Sequence, residues 1–163
     1  MKTLLIVFHS LSGGTRQMAE AASLGAQTER GICARLLPAA DATSADVLGA
    51  DGYIFATPEN LGAMAGRMKD FFDRTYYAVL DQINGRPYAT LICAGSDGHN
   101  AARQIMRIVT GWRLRPIAEP IIVCTHAQTP EAILASKAIG HEELIRCTEL
   151  GTTFAAGMTM GVF

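Results

Sequence analysis

Leu4-Leu5-Ile6-Val7-Phe8-His9-Ser10-Leu11-Ser12-Gly13-Gly14-Thr15-Arg16 is an apolar run that stops in a loop of hydroxyls and glycines. Gln17-Met18-Ala19-Glu20-Ala21-Ala22 follows and favours helix. A strand feeding a small-residue loop that opens a helix is an anion site in outline. The first-turn N–H groups of a helix have no partner within it and point at whatever sits in the loop. Ser10, Ser12 and Thr15 add hydroxyl donors, while Gly13 and Gly14 let the backbone fold closely around a phosphate. Neither G-x-x-x-x-G-K-[ST] nor G-x-G-x-x-G occurs at this turn. The loop also lacks a lysine, so it does not suit a triphosphate with magnesium. The plain alternative is an ordinary strand–loop–helix turn.

The rest of the chain extends the pattern. At 163 residues it is expected to form one domain, residues 1–163. Its 49% hydrophobic content suits a sheet buried on both faces. A net charge of −1 gives no argument for nucleic acid or for an anionic membrane surface. No apolar run approaches the roughly 20 residues that cross a bilayer. Met1 to Phe8 mimics a signal peptide, but the run ends at His9 without an A-x-A pattern, so it reads as a buried first strand of a cytoplasmic protein. Cys33, Cys93, Cys124 and Cys147 show neither C-x-x-C nor zinc spacing and read as small apolar residues in a reducing cytosol; no metal is expected.

After the first helix, with Met18, Ala22, Gly25 and Ala26 at helical spacing, Ile32 to Leu37 reads as a second strand. Residues 44–49 suggest a short helix, and Gly52 to Ala56 a third strand. From Ala63 onward, Met64, Met68, Phe71, Phe72 and Thr75 line one helical face. Pro87 to Ala94 is a fourth strand. Ala101, Ile105, Ile108, Val109 and Trp112 mark another helix. Ile117 to Cys124 is a fifth strand, with Pro120 implying an edge position or a kink. A last helix is expected over 141–156, with Leu144, Cys147, Gly151 and Phe154 as its apolar face. Strands alternating with helices predict an α/β fold with a parallel sheet and right-handed crossovers.

Ile6, Val7, Phe8, Ser10, Gly13, Thr15 and Ala19 match the phosphate-loop pattern of the flavodoxin-like family, and the loop resembles the one that holds the phosphate of FMN there. Ala22 stands where an aliphatic is expected. Ala50 to Ala56, Thr57-Pro58-Glu59-Asn60-Leu61-Gly62 and Met68-Lys69-Asp70-Phe71-Phe72-Asp73-Arg74 strengthen the resemblance. Thr57-Pro58-Glu59 is similar to the Thr-Pro-Glu loop of NAD(P)H-dependent FMN reductases. The resemblance implies a three-layer flavodoxin-like fold: a five-stranded parallel sheet in the order 2-1-3-4-5, helices on both faces, and FMN at the switch between strands 1 and 3.

On that resemblance, FMN is held by three loops. Ser10, Leu11, Ser12, Gly13, Gly14 and Thr15 form the first. Thr57, Pro58, Glu59, Asn60, Leu61 and Gly62 form the second, and Ala94, Gly95, Ser96, Asp97, Gly98 and His99 the third. A flat apolar ring with polar edges needs an apolar wall plus backbone donors, which Pro58, Leu61 and the amides near Asn60 and Gly62 offer. Asn60 and Leu61 stand where flavodoxins place an aromatic, which leaves one ring face open. Asp97 has a second reading as the cap of the fourth helix. His99 is either a group near the flavin that binds a reductant or protonates a substrate, or a helix-start histidine without a role. His9 is placed to orient the first loop. Arg103 and Arg107 read as a solvated face, or as a patch for an NADPH phosphate or an acidic partner; Tyr76 and Tyr77 either overhang the ring or pack.

The implied function is an FMN-binding oxidoreductase that takes electrons from NAD(P)H and passes them to a quinone-like or other small acceptor. The alternatives are a flavodoxin-type electron carrier, whose strongly acidic flavin rim this near-neutral chain lacks, and a flavin-free binding domain on the same fold. A homo-oligomer is implied by the resemblance alone. No catalytic side chain is assigned.

Overall fold

The computed structural model describes residues 1–163. A parallel sheet is built from β1 (Lys2–Phe8), β2 (Ile32–Pro38), β3 (Gly52–Asn60), β5 (Pro87–Ala94), β6 (Arg115–Pro116) and β7 (Ile121–Cys124). A short β4 (Ala63–Met64) pairs antiparallel with β3. The order is β2-β1-β3-β5, with β6 and β7 both on the far side of β5. That is the expected 2-1-3-4-5 arrangement, with the fifth position shared by two short strands. Residues 118–120 leave the ladder between them, after the Ile117 amide donates to the Tyr88 carbonyl (3.0 Å), so Pro120 does mark a break.

The helices are α1 (Gly14–Ala26), α2 (Ser44–Leu48), α3 (Gly66–Val79), α4 (His99–Gly111), α5 (Pro130–Leu134) and α6 (His141–Met160). Alternate residues of the buried strands feed opposite faces of the sheet. Leu5 and Val7 join Tyr53, Phe55, Met68, Phe71, Phe72 and Trp112 on the α3/α4 side. Leu4, Ile6 and Phe8 join Met18, Ile54, Leu91, Cys147 and Phe154 on the α1/α6 side. Phe55 sits within 5.2–6.4 Å, centroid to centroid, of Phe71, Phe72, Tyr88 and Trp112. Arg74 ties α3 to the loop after β2 by donating to the carbonyls of Ala39 (2.7 Å) and Ala42 (3.1 Å).

On the other side, α1 and α6 touch backbone to backbone. A Cβ on Gly151 would collide with the Ala22 carbonyl, and one on Gly25 with the Thr148 carbonyl. The Thr152 hydroxyl donates to the Gly25 carbonyl across the crossing (3.2 Å).

Several elements differ from expectation. Strand β3 runs on to Asn60 rather than ending at Ala56, and α3 begins at Gly66, leaving Met64 in β4. Helix α6 extends to Met160. Helix α5 was not expected. No helix is long and apolar enough to cross a membrane.

Candidate functional site

The loops that follow β1, β3 and β5 converge with the segment after β7 on one cleft of about 560 Å3. Its deepest chemistry lies at the head of α1. Gly13 is the N-cap residue, left-handed at φ 93°, and no side chain caps the helix. The Gly13 amide donates to Ser10 Oγ (3.1 Å). The first turn closes with Gln17 N–H donating to the Gly13 carbonyl (3.2 Å), so the amides of Gly14, Thr15 and Arg16 have no intrahelical acceptor. Thr15 is 1% exposed, and its Oγ1 has no hydrogen-bond partner. Burying a hydroxyl unpaired costs about 1–3 kcal/mol. An acceptor in the loop would remove that penalty. Free amides at the positive end of a helix, with a buried orphan hydroxyl among them, fit the oxygens of a phosphate monoester.

The second loop is a hairpin. Asn60 pairs with Ala63, and Leu61 and Gly62 turn the chain with φ 52° and 72°. Two positive φ values in a two-residue connection match the twist of the flanking strands. Helix α4 pins the hairpin at three points. Glu59 Oε1 accepts from the Gly98 amide (2.9 Å) and Oε2 from the Ala101 amide (3.1 Å). Asn100 Nδ2 donates to the Gly62 carbonyl (2.5 Å), and the Met64 amide to Gln104 Oε1 (2.8 Å). The amino end of α4 is therefore filled by a carboxylate of this chain, while that of α1 is open.

Pro58, Glu59, Asn60, Leu61 and Gly62 line the cleft. Thr57 does not: it is fully buried, and its hydroxyl accepts from the Ala65 amide (3.1 Å) and donates to the Pro58 carbonyl (3.0 Å), closing the base of the hairpin. In the first loop Ser10, Leu11, Ser12, Gly14 and Thr15 line the cleft, while Gly13 is the cap behind them. In the third loop Ala94, Gly95 and Ser96 line it. Asp97, Gly98 and His99 do not. Gly98 caps α4 and gives its amide to Glu59, so the capping read for Asp97 belongs to Gly98 and Glu59 instead. Asp97 and His99 pair with each other at the surface (2.6 Å), and that hydrogen bond holds the Asp97 carboxyl below its ordinary range.

Sequence reasoning missed Cys93, Thr125, Ala127, Gln128, Ile133 and Lys137, all of which line the cleft. The amides of Thr125 and His126 donate to the carbonyls of Ala94 (2.9 Å) and Gly95 (2.8 Å), so this segment continues the wall made by β5. A Cβ on Gly14 would lie 2.6 Å from Cys93 Sγ, which is why α1 can start so close to β5. Burial pushes the Cys93 thiol up, with the Lys137 charge pulling the other way. His9 is half-buried outside the cleft; burial and then the Arg67 charge lower its pKa. Tyr76 stacks on Trp112 (5.7 Å) and Tyr77 packs edge-on against Tyr76 (5.3 Å), both away from the cleft. Arg103 and Arg107 are exposed and also lie outside it. No group of three or more His, Cys, Asp or Glu is placed to hold a metal ion.

Fold and cleft together define a flavodoxin-like α/β protein with an uncapped helix amino end at its sheet switch point. The model of the family described as NADPH-dependent FMN reductase matches residues 18–129, and the chain belongs to that family. FMN is the family's cofactor. A flavodoxin of Aquifex aeolicus (strain VF5) is 32% identical over 110 residues, 68% of this chain and 60% of that protein. An NAD(P)H dehydrogenase (quinone) of Acidithiobacillus ferrooxidans (strain ATCC 53993 / BNL-5-31) is 34% identical over 95 residues, 46% of this chain and 48% of that one. The matched stretch thus spans about half the length of these relatives. Among solved structures, a flavodoxin from the domain Archaea superposes with a TM-score of 0.77 at 19% identity, covering 96% of this chain and 99% of that one. That likeness speaks for the fold.

Proposed function

We propose that the cleft binds FMN with its phosphate at the head of α1, and that the protein is an NAD(P)H-dependent reductase serving a quinone-like or other small acceptor. The observation that carries the binding mode is the buried, unpartnered Thr15 hydroxyl among three free amides. Thr15, Ser10 and Ser12 would donate to the phosphate. Pro58 to Gly62 would form one wall and Ala94 to Ser96, continued by Thr125 to Gln128, the other. Bound flavin supplies hydride acceptance and onward electron transfer, so no side chain of the chain needs to act as acid or base.

Two features of the lining favour an enzyme over a carrier. The only carboxylate in it is Glu59, and both of its oxygens are taken by α4 amides. The lining thus offers no free carboxylate for docking another protein. No aromatic side chain lines the cleft, and Leu61 at the hairpin tip is fully exposed. The chain therefore leaves room for a second flat molecule rather than covering the ring with its own. Mixing FMN-loaded protein with NADPH under anaerobic stopped flow tests this. Flavin bleaching within seconds is expected; its absence, with FMN bound, would make the protein a carrier.

A further inference from the structure

Arg16, the cation at the head of α1, lies with its guanidinium over the Phe8 ring (5.4 Å) and does not line the cleft, yet another cation reaches the cleft from a distant part of the sequence. Apart from Glu59, whose charge is turned into α4, Lys137 is the one charged residue lining the cleft. Its position is built rather than incidental. The Lys137 amide donates to the Ser12 carbonyl (2.8 Å), inside the phosphate loop. The Gln17 side chain, on the first turn of α1, grips the segment from both sides. Its Nε2 donates to the carbonyls of Gly13 (3.0 Å) and Lys137 (2.7 Å), and its Oε1 accepts from the Ile139 amide (3.0 Å). Lys137 Cβ lies 3.5 Å from where a Cβ on Gly14 would stand. The backbone of residue 137 is thus fastened to the Ser12 carbonyl and to the Gln17 side chain on the first turn of α1.

The ammonium, by contrast, is held only by neutral groups at the surface. It donates to the carbonyls of Ala132 (2.7 Å), Ile133 (2.8 Å) and Ala135 (2.5 Å) at the carboxyl end of α5, all exposed residues. Those neutral acceptors compete with water. A phosphate dianion offers charge as well as acceptors, and a charge-assisted hydrogen bond is roughly twice as strong as a neutral one. A lysine on a fixed backbone with a flexible four-carbon stem can exchange one set of partners for the other.

We infer that Lys137 supplies the positive charge of the phosphate site, leaving the α5 carbonyls for the phosphate monoester of the flavin and so setting the preference for phosphorylated over unphosphorylated flavin. This rests on the binding mode proposed above. The charge comes from residue 137 on the strap that follows β7, outside the loop and beyond residues 18–129 matched by the family model.

The test is a pair of titrations on the full chain, FMN and riboflavin, followed by flavin fluorescence at low and at high salt. Lys137→Met is expected to weaken FMN about tenfold or more, the order of one charge-assisted hydrogen bond. Riboflavin affinity should stay within about twofold, and the salt dependence of FMN binding should flatten. Lys137→Arg should restore most of the FMN preference. An unchanged FMN-to-riboflavin ratio in Lys137→Met overturns the inference. So does a parallel fall in both affinities, which would make the lysine only a clamp on α5. If the wild-type chain binds both flavins alike, the phosphate placement itself is wrong and this inference falls with it.

Discussion

Replacing Thr15 with valine should move two measurements in opposite directions. In the folded chain the Thr15 hydroxyl is buried and bonded to nothing. Valine has nearly the same shape and removes the unpaired group. Without flavin, Thr15→Val should therefore be as stable as wild type or gain up to the penalty of about 1–3 kcal/mol. For a chain of this size, each kcal/mol moves Tm by about 2–4 °C. With FMN the sign reverses. A hydroxyl donating to a charged acceptor contributes about 1.5–3 kcal/mol, so its loss should weaken FMN by roughly 10- to 150-fold. Urea unfolding of the flavin-free protein and an FMN titration together read both terms. Thr57→Val is the control: that hydroxyl is also buried but has two partners, and its loss should destabilise the protein by about 1–3 kcal/mol. A Thr15→Val protein that is destabilised like the control, with FMN affinity intact, would refute the assignment of the loop.

Glu59→Gln places an amide donor against the amides of Gly98 and Ala101, and should cost about 1–3 kcal/mol in urea unfolding as the hairpin loses its hold on α4. Leu61 is fully exposed at φ 52°, so Leu61→Asn gives up no packing and relieves left-handed strain; Tm should rise by a few degrees, at about 2–4 °C per kcal/mol. His9 has its pKa lowered by burial and then by Arg67, so below about pH 6.5 the unfolded chain binds more protons than the folded one. That contribution is whole above pH 6.5 and is lost as pH falls toward the folded pKa; a urea series from pH 7.5 to 5 should show a shallower decline in His9→Asn.

Continuous apolar runs from strands buried on both faces, alternating with helical periods, made the α/β layers legible, while the strand order followed from the resemblance carried by the first two loops. The hairpin was hidden by its own residues. Thr57-Pro58 read as a strand end, yet β1 pairs with β3 only as far as Ala56, so Pro58 lacks an N–H where no β1 partner is present. Leu61-Gly62 also lacks the asparagine or aspartate that usually announces such a turn. The first loop was legible because its hydroxyls and glycines are contiguous. The strap carrying Lys137 was not, since Gln17 and Ser12 hold it from 120 or more residues away. One local signal was available: Thr129-Pro130-Glu131 is a helix start, and the Thr129 hydroxyl does accept from the Ala132 amide (3.2 Å).

The glycine crossing of α1 and α6 has a consequence beyond packing. Two backbones in direct contact, each seated where the other has no side chain, cannot slide by a residue without a carbonyl meeting a Cβ. The far half of α1 is locked in height and rotation, and its opening turn inherits that setting. The entropy of arranging the donors is thus spent when the chain folds, and an arriving phosphate finds them already aimed.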